Sequence, residues 1–165
     1  DYLANDIIFQ AKATGNKDII ESAFQIAPEN IEAQKTAFDL NLTDKFRLKH
    51  SIGSSLKDDG YKIIVPKGSY IPVSEKAIVV TASDNQTEAE ATIHFGENPI
   101  ASQNKQFAKM TISGLPAKPA GKAKMKYHFT IDIYGTLRME LYSLDNGVKQ
   151  IITKKIIGLL EKIEE

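Results

Sequence analysis

Three histidines are the first candidates for chemistry: His50, His94 and His128. Histidine changes charge near neutral pH, which makes it a common general base and metal ligand. Each falls in an alternating stretch (FRLKHSI, TIHFG and KYHFTID), with no carboxylate at a metal-type spacing. All three read as surface or edge histidines. Glu88 and Glu90 share one face of a strand pattern, and Asp132 stands alone. Two acids on an outward strand face serve solubility, so no catalytic pair is expected. Gly114 to Lys122 has the look of a phosphate loop, but six residues separate its glycines and Ala123 follows the lysine. A P-loop needs four residues there and a Ser or Thr after the lysine. This stretch is a solvated loop. Lysines cluster at Lys154-Lys155 and from Lys118 to Lys126 without interleaved aromatics, which a stacking platform for nucleic acid requires. Cysteine is absent, which removes thiol nucleophiles, disulfides and Cys-based metal sites. No enzyme is expected from these residues.

The elements that would carry any site change character along the chain. Leu3, Ile7, Ile8 and Ala11, then Ile19, Ile20, Ala23 and Phe24, then Ile31, Ala33, Ala37 and Phe38 recur at helical spacing. Gly15 and Pro28 punctuate them. From Asp39 the period shortens to two, the mark of strands with one buried face. Phe46 and Leu48, Tyr61 to Val65, Ala108 to Ile112, Met125 to Ile133 and Leu137 to Leu141 are the clearest cases. Asp58-Asp59-Gly60, Pro66-Lys67-Gly68 and Asp145-Asn146-Gly147 are turn signals between them. Near Thr153 a helical stripe returns as Ile156, Leu159, Leu160 and Ile163. The expected fold is mainly β, an antiparallel β-sandwich of seven to nine short strands. Short helices flank it at the N-terminus, and a helix follows at the C-terminus. The expected units are a helical segment and linker over 1–45, the sandwich over 46–153 and the C-terminal helix over 154–165.

One stretch of that sandwich is unusual. Residues 79–97, VVTASDNQTEAEATIHFGE, read as strand, polar turn and strand. Thr87, Ala89, Ala91, Ile93 and Phe95 fall on one side. Two alanines stand where a packed inner face would carry Val or Ile. Either a neighbour's bulky side chain fills the space beside them, or something from outside the chain does.

Composition narrows the partners. The 165 residues carry 21 basic and 21 acidic side chains, for a formal net charge of zero. Nucleic-acid surfaces usually show a clustered basic excess, so no nucleic-acid partner is expected. No apolar run approaches the roughly 18–20 residues of a membrane-spanning helix, and no membrane partner is expected. The chain opens on Asp1 and closes on two glutamates, and it is expected to be a fragment of a longer protein. A cytoplasmic location is expected, with a secretory lumen as the alternative in which the triplets Asn41-Leu42-Thr43 and Asn85-Gln86-Thr87 would matter as glycosylation acceptors. A free strand edge or the apolar C-terminal stripe offers a route to self-association.

The run TASDNQTEAEATIHFGEN, residues 81–98, resembles the β-sandwich substrate-binding domain of the seventy-kilodalton heat-shock chaperones, the DnaK type. Other short matches keep the same spacing. Ser51-Ile52-Gly53 resembles the family's "SLG" and Ile71-Pro72 its "IP". Ala101 and Asn104 fall in its "AADN" segment, and Ser113-Gly114-Leu115 is similar to "DGI". Phe129-Thr130-Ile131-Asp132 with Gly135 resembles "FDID…G", and Asp145-Asn146-Gly147 with Lys149 to Thr153 matches the last hairpin. The resemblance covers about residues 46 to 156. Upstream of Phe46 the family's leucine-rich linker is only loosely echoed by Asp39 to Asp44.

The resemblance implies a non-enzymatic holder of extended hydrophobic segments of unfolded polypeptides. It implies two loops framing a channel, Ser54 to Gly60 and Val79 to Thr87. By the same alignment the peptide pocket comprises Ser54, Lys57, Val79, Ala82, Ala89, Ala91 and Met125, with Leu56 and Gln86 beside the peptide path. A slip of one residue would exchange Leu56 for Lys57 in the arch over the channel. The family carries bulkier apolar residues at the positions of Ser54, Lys57, Ala89 and Ala91. The resemblance also implies a nucleotide-binding domain ahead of this segment, where ATP would bind, no cofactor within the segment itself, and a helical lid beginning near Lys154. A docking or structural module that has lost client binding, or a larger co-chaperone relative, is the alternative.

Overall fold

The structure, a computed structural model, describes residues 31, 35 and 45–163. The expected N-terminal helices and linker lie outside the described residues, except that Ile31 and Lys35 are helical. Eight strands form two antiparallel four-stranded sheets. The first has the order β3-β2-β5-β6 and the second β4-β7-β8-β9. Their bounds are β2 Ile52–Leu56, β3 Gly60–Val65, β4 Val73–Val80, β5 Glu88–Phe95, β6 Lys105–Ser113, β7 Lys124–Ile131, β8 Thr136–Ser143 and β9 Lys149–Lys155. A two-stranded ribbon joins β1 Phe46–Leu48 to β10 Leu160–Lys162. The expected sandwich is present, with its eight strands plus this ribbon.

Alternation explains the layers. In β7 and β8 every second residue is buried, which aims Tyr127, Phe129 and Ile131, and Leu137, Met139 and Leu141, at the opposite sheet. Ile52, Val65, Ile93 and Met110 answer from the first sheet and share one core with them. Burying each such side chain is worth about 1.5–3 kcal/mol. The turns use the residues the sequence offers. Gly147 takes φ +75° in the β8–β9 hairpin, and the Asp132 carboxylate accepts from the backbone N–H groups of Tyr134 and Thr136 at 2.9 and 3.0 Å. Asp132 is a turn residue.

Two expectations are corrected. The helix expected from Lys154 is not formed by the described residues. β9 continues to Lys155, Ile157–Leu159 makes one short 3-10 turn, and β10 pairs antiparallel with β1, Leu48 opposite Leu160. The physical reason is competition. A helix this short is marginal on its own, and Gly158 weakens it further. Strand pairing instead satisfies backbone groups of both segments, with Lys49 N–H donating to Leu159 at 2.8 Å and Ile163 N–H to Lys45 at 2.8 Å. The apolar stripe is used at home, since Ile156 is buried and Leu159 and Leu160 pack on the core. The second correction concerns His94, expected at the surface and found 4% exposed. The β5–β6 register shifts between Ile93 and His94, so two consecutive residues turn inward, as a bulge allows.

Candidate functional site

The void lies where two strands part. β2 pairs with β5 only over Ile52–Ser54 and Ile93–Phe95. Beyond Ser54 the backbone ladder stops, and the Thr92 N–H donates to the Ser55 hydroxyl at 2.9 Å instead of to a carbonyl. β2 then follows β3 alone, and the first half of β5 follows β6 alone. The second sheet continues beneath, with Val79 of β4 opposite Met125 of β7. Ala89 and Ala91 bring only methyl groups to the gap. A cavity of ≈740 Å³ results, within the range of about 300–1,000 Å³ typical of ligand sites.

All nine residues singled out by the alignment line this cavity: Ser54, Leu56, Lys57, Val79, Ala82, Gln86, Ala89, Ala91 and Met125. Leu56 and Lys57 both reach it, so the one-residue choice between them is not a choice in the structure. Ser54 is the deepest at 1% exposed, whereas Leu56 is 43% exposed at the mouth. The framing loops are shorter than expected, because Ser54 to Leu56 belong to β2 and Val79-Val80 to β4.

Both loops are braced. In the first, Asp58 and Asp59 take φ near +58° and +60°, a region Asp tolerates better than most residues. The Asp59 carboxylate accepts from the Ser102 N–H at 3.0 Å and from its hydroxyl. In the second, the Gln86 side-chain carbonyl accepts from the N–H groups of Ala82 and Ser83 at 3.0 and 3.2 Å. Its amide donates to the Glu88 carbonyl at 2.7 Å. Gln86 therefore staples its own loop as well as lining the cavity. Asn85 N–H donates to Lys118 at 2.8 Å, and Ala120 N–H to the Asp84 carboxylate at 2.8 Å. The loop once likened to a phosphate cradle thus buttresses the site.

Tyr127 is one of several lining residues that the alignment missed, among them Thr81 and Leu141. It is 1% exposed, and its hydroxyl lies 2.7 Å from that of Ser54. The Ser54 hydroxyl also lies 3.1 Å from the Ser55 carbonyl. Either hydroxyl can donate in the Ser54–Tyr127 pair. Burial pushes the Tyr127 phenol up, and the Ser54 contact works weakly against it. The signal was present in the sequence, because Tyr127 follows Met125 on the same strand face. Thr81 also lines the cavity, and its Oγ1 is a buried side-chain oxygen without a hydrogen-bond partner among the described residues.

The three histidines lie elsewhere. His94 touches the Thr92 hydroxyl at 2.7 Å and the Asn104 carbonyl at 3.2 Å, with the Tyr61 ring against its edge. His128 bonds Ser74 at 2.8 Å, and burial, aided by Lys76, holds it below its ordinary value. His50 pairs with Glu97 at 3.4 Å. The cavity walls offer methyls, hydroxyls, one thioether and rim charges from Lys57, Lys62 and Glu90, the last paired with Lys109 at 3.2 Å. Such walls can hold apolar groups and accept hydrogen bonds.

Fold and cavity define a β-sandwich in which two strands of one sheet part at one end around a loop-framed cleft. The family model described as "Hsp70 protein" matches residues 26–165, and the chain belongs to that family. It is similar to a protein named Chaperone protein DnaK from Mycoplasmopsis pulmonis, 34% identical over 92 residues, 56% of this chain and 15% of that protein. A DnaK from Thermosipho africanus is 31% identical over 100 residues, 61% and 17% of the two chains. The protein named Chaperone protein dnaK1 from Prochlorococcus marinus is 31% identical over 115 residues, 70% and 17%. The chain therefore spans about one-sixth of the length of these relatives.

Proposed function

We propose that this chain is the substrate-binding module of an Hsp70-family chaperone, holding an extended apolar segment of an unfolded polypeptide in the cleft between its two loops. The observation that carries the reading is the cavity itself. Nine positions chosen by alignment surround one open volume of ≈740 Å³. Backbone groups at the strand ends and loops would grip the peptide main chain, and the space beside Ala89 and Ala91 would take one side chain. Nucleotide hydrolysis would belong to a separate domain of the whole protein, and unfolded polypeptides would be its partners. The competing reading, a docking module that has lost its clients, expects a groove filled by the chain's own side chains, and the open volume favours the first.

Titration of a fluorescein-labelled leucine-rich heptapeptide with the chain tests the proposal. Saturable anisotropy with Kd on the order of tens of micromolar is expected. No binding in that range, together with recovery of one stoichiometric protein partner that apolar peptide does not displace, would support the docking module instead.

A further inference from the structure

Resting on the peptide-binding reading, we infer that the cleft selects segments in which an Asp or Glu stands two residues from the apolar side chain it holds. Three charged residues line the cavity: Lys57, Lys62 and Glu90. Glu90 is already answered, by Lys109 at 3.2 Å. It also stands on the opposite face of β5 from Ala89 and Ala91, since neighbours in a strand alternate. No ion pair to Lys57 or Lys62 forms among the described residues. The formal net charge of the chain is zero, so two uncompensated ammonium groups are a property of the cleft and not of the whole surface.

The two lysines share one wall. Lys62 lies opposite Ser54 in the β2–β3 ladder, and residues directly opposite share a sheet face. Ser54 is buried, and Ile64, two residues after Lys62, is buried in the core. Lys62 therefore holds an inward position of β3 that alternation assigns to an apolar residue, and it is partly buried. Lys57 follows Leu56 at the exposed mouth of the same wall. Asp58 and Asp59 come next, but neither lines the cavity, and the Asp59 carboxylate is held by the Ser102 N–H and hydroxyl. Across the cleft, Ala82, Gln86, Ala120 and Gly121 offer no charge. A carboxylate is the group that pairs with an ammonium through short, charge-assisted hydrogen bonds. In an extended peptide, side chains two residues apart share a face at about 7 Å spacing, and lysine stems are long and flexible. An acid at that spacing meets the β2–β3 wall while the apolar residue enters the space beside Ala89 and Ala91. Lys or Arg there would meet like charge.

The test is a series of labelled heptapeptides with a central Leu, identical except for Glu, Gln or Lys at both positions two residues from it, titrated by anisotropy. At low salt the expected order is Glu tightest, then Gln, then Lys, with Glu about three- to tenfold tighter than Gln, the range of one or two exposed ion pairs. The ratio of Glu to Gln affinity should shrink towards one in about 1 M NaCl, where charges are screened beyond about 3 Å. The double variant Lys57→Gln, Lys62→Gln should abolish the ratio at low salt. Equal Glu and Gln affinities in the unaltered chain, or a Lys peptide that binds tightest, overturn the inference and leave peptide binding intact. A Glu preference that survives in the double variant overturns the assignment to these two lysines. No binding by any of the three peptides overturns the peptide-binding reading and this inference with it. The series at two salt concentrations needs no variant, so a poorly folding mutant cannot obscure the result.

Discussion

The two ends of β7 make the comparison that explains this molecule. At one end Phe129 and Ile131 face Leu137 and Met139, all wholly buried. At the other, Met125 and Tyr127, with Val79 beside Met125 in the same sheet, line an open volume that Ala89 and Ala91 of the other sheet also line. The strand, its pairing and its alternation are the same at both ends. The differences are side-chain size and the parting of β2 from β5. Interiors are packed about as densely as organic crystals, so a void at one end of a continuous sandwich reflects the residues chosen there. The closed end supplies stability, and the open end spends little of it.

The strongest way to break this contrast is to hollow the closed end. Phe129→Ala should cost about 3–5 kcal/mol by urea denaturation. Filling the open end with Ala89→Val and Ala91→Ile should change stability by less than about 1 kcal/mol, because the new methyls meet space. A comparable loss from both changes would show that the two ends are packed alike. Next in size is Gly53→Ala. An added Cβ would stand 2.5 Å from the Lys62 carbonyl oxygen and 2.7 Å from the Tyr61 ring. Forced overpacking of this kind costs about 1–3 kcal/mol.

A smaller effect comes from Tyr61, whose hydroxyl donates to the His94 and Gly96 carbonyls at 3.2 and 3.1 Å. Burial, then the nearby Glu97 carboxylate, pushes its pKa from 10.0 up to about 12. The folded state holds this proton more tightly than the unfolded chain. The contribution is therefore fully present below pH 10 and is lost as pH rises towards about 12. The urea midpoint should fall across that window, and Tyr61→Phe should flatten the fall. The smallest effect is at Thr81. Its buried hydroxyl has no partner among the described residues, so Thr81→Val should leave stability unchanged or raise it by up to about 1 kcal/mol. A clear loss would mean that the hydroxyl is paired.

Much of this was legible in the sequence, for stated reasons. Period-two alternation in Met125 to Ile133 and Leu137 to Leu141 specified the second sheet, and Asp145-Asn146-Gly147 specified its hairpin. The small face at Ala89 and Ala91 pointed to the cavity, although residue size alone left open what would fill it. His94 escaped because a bulge changes the phase of a strand without a mark in the sequence. The segment after Lys155 escaped because Ile156, Leu159 and Leu160 suit a helix stripe and a turn plus strand equally. A distant partner, β1, decided between them. Tyr127 was overlooked although its register beside Met125 implied its place.

The most direct test of the central claim is to close the open end and ask whether binding goes with it. Ala89→Trp places the largest side chain where the smallest wall stands. Peptide anisotropy should fall to background in this variant while its urea midpoint stays within that of the unaltered chain. Unchanged peptide affinity in a folded Ala89→Trp protein would contradict the account, because the cleft would then not be where the peptide lies.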